Sequence, residues 1–148
     1  MYGVDPSLEL QRIARKRKTG GPFGIEFLTQ SAKAVLPLAN ASIDTAVMTW
    51  TLCSIANPAL ALYEINRVLK PDGRLIFLEH GLAPDPRVVV WQDRLTPVWK
   101  RIGGGCRLNR RIDEPITNAG FQLPELKAAY LPGPGPMTYT YQGVATQT

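Results

Sequence analysis

Two short polar segments in the middle of the chain follow apolar runs, and they contain the residue types that could do chemistry. Thr49-Trp50-Thr51 follows the run 45–48, and Glu79-His80 follows the run 74–78. If both runs are parallel strands of one sheet, the two segments meet at the edge where α/β proteins bind their ligands. His80 is the single histidine of the chain and is the candidate general base at this edge. The alternative is that His80 is only a polar residue that closes the strand.

The stretch between the two runs predicts the connection that makes them parallel. Asn57-Pro58 is typical of a helix start, with an N-cap residue followed by proline at the first helical position. Apolar residues then recur at helical spacing as far as Leu69, and Lys70-Pro71-Asp72-Gly73 has the composition of a turn. Strand, helix and strand in this order predict a right-handed βαβ unit. Both strands are continuous apolar runs, which predicts burial on both of their faces.

A shorter strand and helix are predicted at the N terminus. Residues 1–4 are typical of the end of a strand that stops at Asp5-Pro6-Ser7. A further short strand is predicted at residues 25–28. The buried stripe of the helix between these strands is expected to consist of Leu10, Ile13 and Ala14.

The second half of the chain predicts a long helix, a flexible glycine-rich hinge at 103–110 and a closing pair of strands near 126–130 and 138–145. Pro97 is predicted to kink or divide the long helix, and Asp113-Glu114-Pro115 to begin a shorter one. An apolar stripe on the long helix is expected to be core, and the alternatives are a lid over a pocket or a face that rests on a membrane. The stripe consists of Trp91, Leu95, Val98, Trp99 and Ile102.

Composition and charge bound the class of protein. With 148 residues, 45% hydrophobic and 20% charged, the chain is long enough for one globular domain. The net charge of +5 is assigned to a solvated helix end, and no nucleic-acid partner is predicted because no aromatic residues interleave with the cations. No apolar run reaches the roughly 20 residues of a membrane span, and no signal peptide is recognised, so a cytoplasmic location is expected. Cys53 and Cys106 lie far apart and form no Cys-x-x-Cys pair, so neither a metal site nor a disulfide is predicted.

A set of motifs in the central stretch is shared with a known family. The set consists of Asp44, residues 50–55, Glu64-Ile65, residues 67–71, Gly73 and Leu78-Glu79-His80. Together these motifs resemble the second half of class I S-adenosylmethionine-dependent methyltransferases, in the branch that includes the ubiquinone and menaquinone methyltransferases. The resemblance implies an α/β fold, a Rossmann-like methyltransferase sheet with helices on both faces and a C-terminal antiparallel hairpin.

The resemblance implies S-adenosylmethionine as the cofactor and assigns roles around it. Asp5, followed by Pro6, stands where the family has an acidic residue that accepts hydrogen bonds from both ribose hydroxyls, and the alternative is a helix cap. Ser31 and Ala32 stand in the loop that lines the adenine in the family, which often has an acidic residue at the position of Ser31. The alternative is that Ser31 is an ordinary loop residue. Thr49-Trp50-Thr51 would line the methyl-transfer pocket.

A set of residues in the second half of the chain resembles the branch of methyltransferase-like proteins that acts on thiols or lipid-associated substrates. The set consists of Trp91, Pro97, Trp99, Gly105-Cys106 and Asn109. Cys106 is otherwise expected to be a buried small residue, because methyl transfer requires no enzyme thiolate. The implied substrate pocket consists of Glu79, Trp91, Trp99, Cys106 and Asn109.

The first strand and the glycine-rich loop with which the family pattern begins have no counterpart in this sequence. The chain is therefore expected to be a single methyltransferase domain, 1–148, truncated at its N terminus. Two alternatives stay open: the neighbouring strands pair directly in a contracted sheet, or a partner chain supplies the edge, as in a homo-oligomer.

The expected function is methyl transfer to a small-molecule acceptor such as a thiol, lipid or quinone. The alternative is a non-catalytic remnant or partner subunit that does not bind the cofactor alone. A nicotinamide-dependent oxidoreductase is disfavoured, because the phosphate-binding loop is missing and a terminal hairpin is predicted. A nucleic-acid methyltransferase is disfavoured because the Asp/Asn-Pro-Pro-Tyr/Phe motif is missing.

Overall fold

The computed structural model describes residues 1–17, 24–30 and 35–148. The chain divides into two compact units, Met1–Pro37 and Leu38–Thr148. The prediction of a single domain stays a prediction. The first unit contains strand β1 (Tyr2–Val4), helix α1 (Leu8–Arg17) and strand β2 (Glu26–Leu28).

In the first unit, β1 and β2 form a parallel pair, and α1 contacts β2 through the side chains of Gln11 and Arg15, whose guanidinium lies 4.5 Å from the centroid of the Phe27 ring. Gln11 is buried, and its amide donates to the carbonyl of Asp5 at 2.7 Å and to Thr29 Oγ1 at 3.1 Å. The predicted buried stripe of Leu10, Ile13 and Ala14 is wrong, because all three side chains are exposed. The apolar spacing located the helix correctly, but the hydrogen bonds of Gln11 decide which of its faces is inside.

The second unit contains one four-stranded sheet, in the order β3-β4-β6-β5. β3 and β4 are parallel, whereas β6 runs antiparallel to both of its neighbours. This arrangement confirms the predicted βαβ unit and the closing antiparallel pair. The elements are β3 (Ile43–Thr49), α2 (Pro58–Val68), β4 (Leu69–His80), α3 (Pro86–Ile102), α4 (Asp113–Asn118), β5 (Phe121–Tyr130), α5 (Gly135–Thr138) and β6 (Tyr139–Gln147).

The predicted turn at residues 70–73 lies inside β4 as an irregularity in the register. Ile43 pairs with Leu69, but Thr45 pairs with Arg74, so the extra residues bulge out of the ladder. A side chain at Gly73 would place its Cβ 2.8 Å from the carbonyl oxygen of Lys70, which explains the glycine. The turn chemistry therefore sets where the helix ends and where regular pairing resumes.

Burial of the central strands differs from the prediction. Along β4, Leu75, Phe77 and Glu79 are buried while Ile76 is exposed, and Val47 on β3 is 66% exposed. The expectation of burial on both faces is therefore wrong for the sheet of this unit. The core that includes Phe77 contains residues of α2 and α4 and lies on one face of the sheet.

Helix α3 is continuous through Pro97, so Pro97 does not divide the helix, and the alternative of a kink stays a prediction. The prediction that the apolar stripe of α3 belongs to the core is wrong for three of its residues. Trp91, Val98 and Ile102 are 55%, 60% and 73% exposed. The buried residue is Gln92, whose amide accepts from Ala83 N at 3.0 Å and donates to the Gly81 carbonyl at 3.0 Å. A lid and a membrane-facing surface both stay predictions for the exposed stripe. Among the described residues, no helix has both the length and the apolar character that crossing a bilayer requires.

Candidate active site

The two predicted polar segments lie side by side at the carboxyl ends of β3 and β4. Thr49 pairs with Leu78, and the backbone N–H of Trp50 donates to the carbonyl of Leu78 at 2.8 Å. Parallel pairing places Trp50 next to Glu79 and His80 at one edge of the sheet, as the sequence predicted. This edge is where α/β sheets bind ligands.

Glu79 organises the loop after β3. Its carboxylate is fully buried and accepts hydrogen bonds from the backbone N–H groups of Thr51, at 2.9 Å, and Cys53, at 3.1 Å. Both carboxylate oxygens are therefore used to hold the loop in place. A direct contact between Glu79 and a substrate stays a prediction, and it would require this loop to open.

Trp50 has an unusual backbone conformation for a tryptophan. Its φ is +54°, in the left-handed region that a bulky residue adopts only when the surroundings enforce it. The indole is 45% exposed and lies against the imidazole of His80, with ring centroids 4.3 Å apart and an interplanar angle of 51°. The strained turn therefore presents an aromatic surface at the edge of the sheet.

The glycines after α3 form a turn that approaches the loop after β3 closely at Gly105, and the predicted flexibility of this segment stays a prediction. Gly104 and Gly105 have φ values of +62° and +94°. A side chain at Gly105 would place its Cβ 2.8 Å from the carbonyl oxygen of Ser54. The following N–H of Arg107 donates to the carbonyl of Cys53 at 2.9 Å. This close approach fixes Cys106 beside the loop after β3.

Cys53, His80 and Cys106 meet at this point, although they lie far apart in the sequence. Their ligating atoms are all within 4.8 Å of one another, and Cys106 Sγ lies 3.5 Å from His80 Nδ1. The hydrogen bond between the thiols is the main cause that lowers the pKa of Cys106 and raises the pKa of Cys53. The prediction that no metal is bound was based on sequence spacing alone, and it stays a prediction.

Arg110 is a residue of this site that the sequence analysis missed. Its guanidinium donates to the carbonyl of Leu52 and, at 2.8 Å, to that of Ile55. The two carbonyls belong to the same loop that Glu79 holds by its N–H groups. Nothing in the local sequence around Arg110 predicted this contact, because it depends on where α3 and the glycine turn place the chain.

The predicted substrate-pocket residues on and after α3 have different environments. The indole N–H of Trp99 is buried and, within the described part of the chain, makes no hydrogen bond, yet the indole is close enough to help lower the pKa of Cys106. Asn109 donates to Asp93 Oδ1 at 2.8 Å, which ties the turn to α3. Trp91 lies on the exposed stripe of α3, so a role in the pocket stays a prediction.

The predicted cofactor residues of the first unit are only partly described. Asp5 Oδ1 accepts from the N–H of Ser7 at 2.6 Å. Asp5 therefore makes the hydrogen bond of a helix cap, which was the alternative to its predicted role at the ribose. The other oxygen of Asp5 has no hydrogen-bond partner among the described residues, and Pro6 next to it is exposed. Ser31 and Ala32 lie outside the described residues.

The fold of the chain is that of Rossmann-like S-adenosylmethionine-dependent methyltransferases, whose solved structures align over nearly the whole chain. One similar solved structure is that of an S-adenosylmethionine-dependent methyltransferase from Thermotoga maritima, described as a possible histamine N-methyltransferase. The alignment covers 99% of this chain and 72% of the Thermotoga chain. Its TM-score is 0.70 at 24% identity. A methyltransferase from Methanosarcina mazei aligns with a TM-score of 0.73 at 21% identity, over 99% of this chain and 81% of its own. Both similarities concern the fold.

Sequence similarity identifies the family. The family described as "Methyltransferase domain" matches residues 1–77, and the chain belongs to it. Thiol S-methyltransferase TMT1B of Rattus norvegicus is 39% identical over 102 residues, which is 68% of this chain and 42% of that protein. The ubiquinone/menaquinone biosynthesis C-methyltransferase UbiE of Rubrivivax gelatinosus is 40% identical over 76 residues, or 51% of this chain and 29% of that protein. The chain thus spans less than half of the length of these relatives.

Proposed function

We propose that this protein transfers a methyl group from S-adenosylmethionine to a small thiol. The observation that carries the proposal is the 39% identity with a thiol S-methyltransferase over two thirds of the chain. The match to UbiE supports methyl transfer to small molecules more broadly, so quinone and lipid acceptors are the competing candidates.

The residues of the chain suit this cofactor. S-Adenosylmethionine, when bound, supplies a methyl group that is already activated on a cationic sulfur. The exposed indole of Trp50 suits a cation, because its ring face carries partial negative charge. Asp5 retains a carboxylate oxygen that can accept from the ribose. Thr49 and Thr51 border Trp50 and complete the proposed cofactor contacts in this segment, with Ser31 and Ala32 proposed at the adenine.

The protein's own contribution to the reaction is mainly alignment. Methyl transfer needs the acceptor sulfur in line with the methyl group at near-attack distance, with water excluded. The Glu79 carboxylate and the Arg110 guanidinium hold the loop that presents Trp50, so they act as positioning residues. The competing proposal is a remnant that keeps the fold without transferring methyl groups.

Incubation with isotope-labelled S-adenosylmethionine and a panel of small thiols, quinols and lipid amines tests the function. Mass spectrometry is expected to detect a methylated thiol and an equal amount of S-adenosylhomocysteine. Trp50→Ala is expected to lower the rate at least about tenfold, which corresponds to about 1.4 kcal/mol of lost transition-state stabilisation. Tyr63→Ala removes an exposed aromatic side chain of α2 that is not one of the proposed site residues, and it is the matched control, with an unchanged rate. Absence of labelled product from every acceptor would favour the remnant.

A further inference from the structure

Three side chains that commonly bind metals meet at the candidate active site, and the transfer proposed above requires none of them. They are the thiols of Cys53 and Cys106 and the imidazole of His80, with ligating atoms within 4.8 Å of one another. Both cysteines are free and buried, and His80 is partly exposed. Each of the three residues comes from a different segment of the second unit, so this grouping is a product of the fold.

The spacing of these atoms fits a tetrahedral zinc ion. Zinc binds thiolate sulfur at about 2.3 Å and imidazole nitrogen at about 2.0–2.1 Å, so a tetrahedral angle separates the two ligand atoms by about 3.6 Å. The separation between Cys106 Sγ and His80 Nδ1 is 3.5 Å. Two sulfurs and one imidazole favour zinc over hard cations such as Mg²⁺ and Ca²⁺, which prefer oxygen ligands.

The surroundings hold each ligand in place from outside the cluster. The N–H of Cys53 donates to Glu79 Oε2 at 3.1 Å, and its carbonyl accepts from Arg107 N at 2.9 Å. Cys106 directly follows the close-packed glycine turn, and His80 lies against Trp50. Outer interactions of this kind orient the ligands of metal sites and are worth about 10–100-fold in metal affinity.

We propose that Cys53, His80 and Cys106 bind one Zn²⁺ ion, and that its fourth coordination position accepts the sulfur of the thiol acceptor. The metal site is inferred from the cluster alone, whereas the role of the fourth position rests on the proposed function. Three protein ligands and an open position are typical of catalytic zinc sites. In this arrangement Nδ1 of His80 is a ligand, and His80 is not the general base.

The chemistry of the fourth position is that of a thiol bound to a metal. A thiol that coordinates zinc releases its proton to solvent and stays bound as a thiolate at neutral pH. The thiolate sulfur then forms a bond to the methyl carbon while the bond between that carbon and the sulfonium breaks. The electron pair of the broken bond stays on the sulfur of S-adenosylhomocysteine, which becomes a neutral thioether sulfur, and the methylated product dissociates from zinc because a thioether is a weaker ligand than a thiolate.

Titration of the wild-type protein with Co²⁺, a spectroscopic substitute for zinc, tests the metal site without reference to activity. The protein is kept reduced with a phosphine so that no added thiol competes. A sulfur-to-cobalt charge-transfer band is expected to saturate at one ion per chain and to vanish when Zn²⁺ is added. Cys53→Ser and Cys106→Ser are each expected to lose most of the band. Met48→Leu, which removes a buried sulfur of the same core at nearly constant volume, is expected to retain it.

Three results would overturn the metal site. One is the absence of the band in the wild-type protein. Another is the full band in both serine variants. The third is a Cys53–Cys106 disulfide without bound metal in protein purified without reductant. If a serine variant fails to fold by circular dichroism, the wild-type titration still decides, because the band itself requires cobalt–thiolate coordination.

Addition of ethanethiol to the cobalt-loaded protein tests the fourth position. A shift of the cobalt d–d bands supports direct coordination of the thiol, and unchanged bands overturn that part. Calorimetry with S-adenosylhomocysteine separates the two proposals. Binding of S-adenosylhomocysteine without a cobalt band keeps the methyltransferase function and overturns the metal site, whereas a cobalt band without such binding does the reverse.

Discussion

Replacing Glu79 with glutamine is expected to lower the free energy of unfolding by about 1–3 kcal/mol. The carboxylate of Glu79 is fully buried and accepts from the N–H groups of Thr51 and Cys53, one on each oxygen. Glutamine offers one oxygen and one NH₂ group, so one of these buried N–H groups faces another donor. Urea unfolding followed by circular dichroism measures the change.

Glu125→Gln is the matched control for Glu79→Gln, because it makes the same chemical change at an exposed position of β5. Its effect is expected to stay within about 0.5 kcal/mol, as for most surface substitutions. Equal stability of the two variants would contradict the assignment of Glu79 as the anchor of the loop after β3.

Gly105→Ala is expected to destabilise the protein through two separate effects. The φ of +94° disfavours any residue with a Cβ, which costs about 1–2 kcal/mol. The added Cβ would also lie 2.8 Å from the carbonyl oxygen of Ser54, and forcing the backbones apart costs about 1–3 kcal/mol more. The free energy of unfolding of the variant, measured in urea, gives the sum of the two.

Gly104→Ala separates the two effects of Gly105→Ala. Gly104 also has a positive φ, of +62°, but a Cβ there would meet nothing within 4 Å. Gly104→Ala is therefore expected to show only the backbone cost, and Gly105→Ala to be clearly the less stable of the two. Identical stabilities would mean that the contact between the glycine turn and Ser54 contributes nothing.

The sequence predicted the elements of the central unit because its local signals are strong. Proline at the start of α2, the turn at residues 70–73 and the two apolar runs specify strand, helix and strand with little freedom. Burial was harder to predict, because it depends on what covers each face. Val47 and Val98 are apolar and regularly spaced, yet both are exposed in the folded chain.

In the candidate site, too, local sequence signals predicted some neighbouring residues, whereas contacts between distant segments of the chain were not predicted. The neighbouring positions of Trp50 and His80 followed from parallel pairing, which the sequence predicted. The contact between Cys106 and His80 depends on the glycine turn, and a run of glycines has the same local signature in a hinge and in a close-packed turn. The sequence predicted Glu79 as a pocket residue, but its role as an anchor was missed, as was that of Gln92, because their hydrogen bonds join distant segments.

Calorimetric titration with S-adenosylhomocysteine tests the central claim of cofactor binding most directly, in the wild-type protein and in two aspartate variants. Asp5→Asn keeps an oxygen that can accept from the N–H of Ser7 but removes the charge proposed to face the ribose. Asp85→Asn is the matched control, because Asp85 Oδ1 accepts in the same way from the N–H two residues on, at 2.8 Å. Wild type and Asp85→Asn are expected to bind with the same affinity, and Asp5→Asn at least about tenfold more weakly, a loss of about 1.4 kcal/mol. No heat from the wild-type protein, or undiminished binding by Asp5→Asn, would contradict the account.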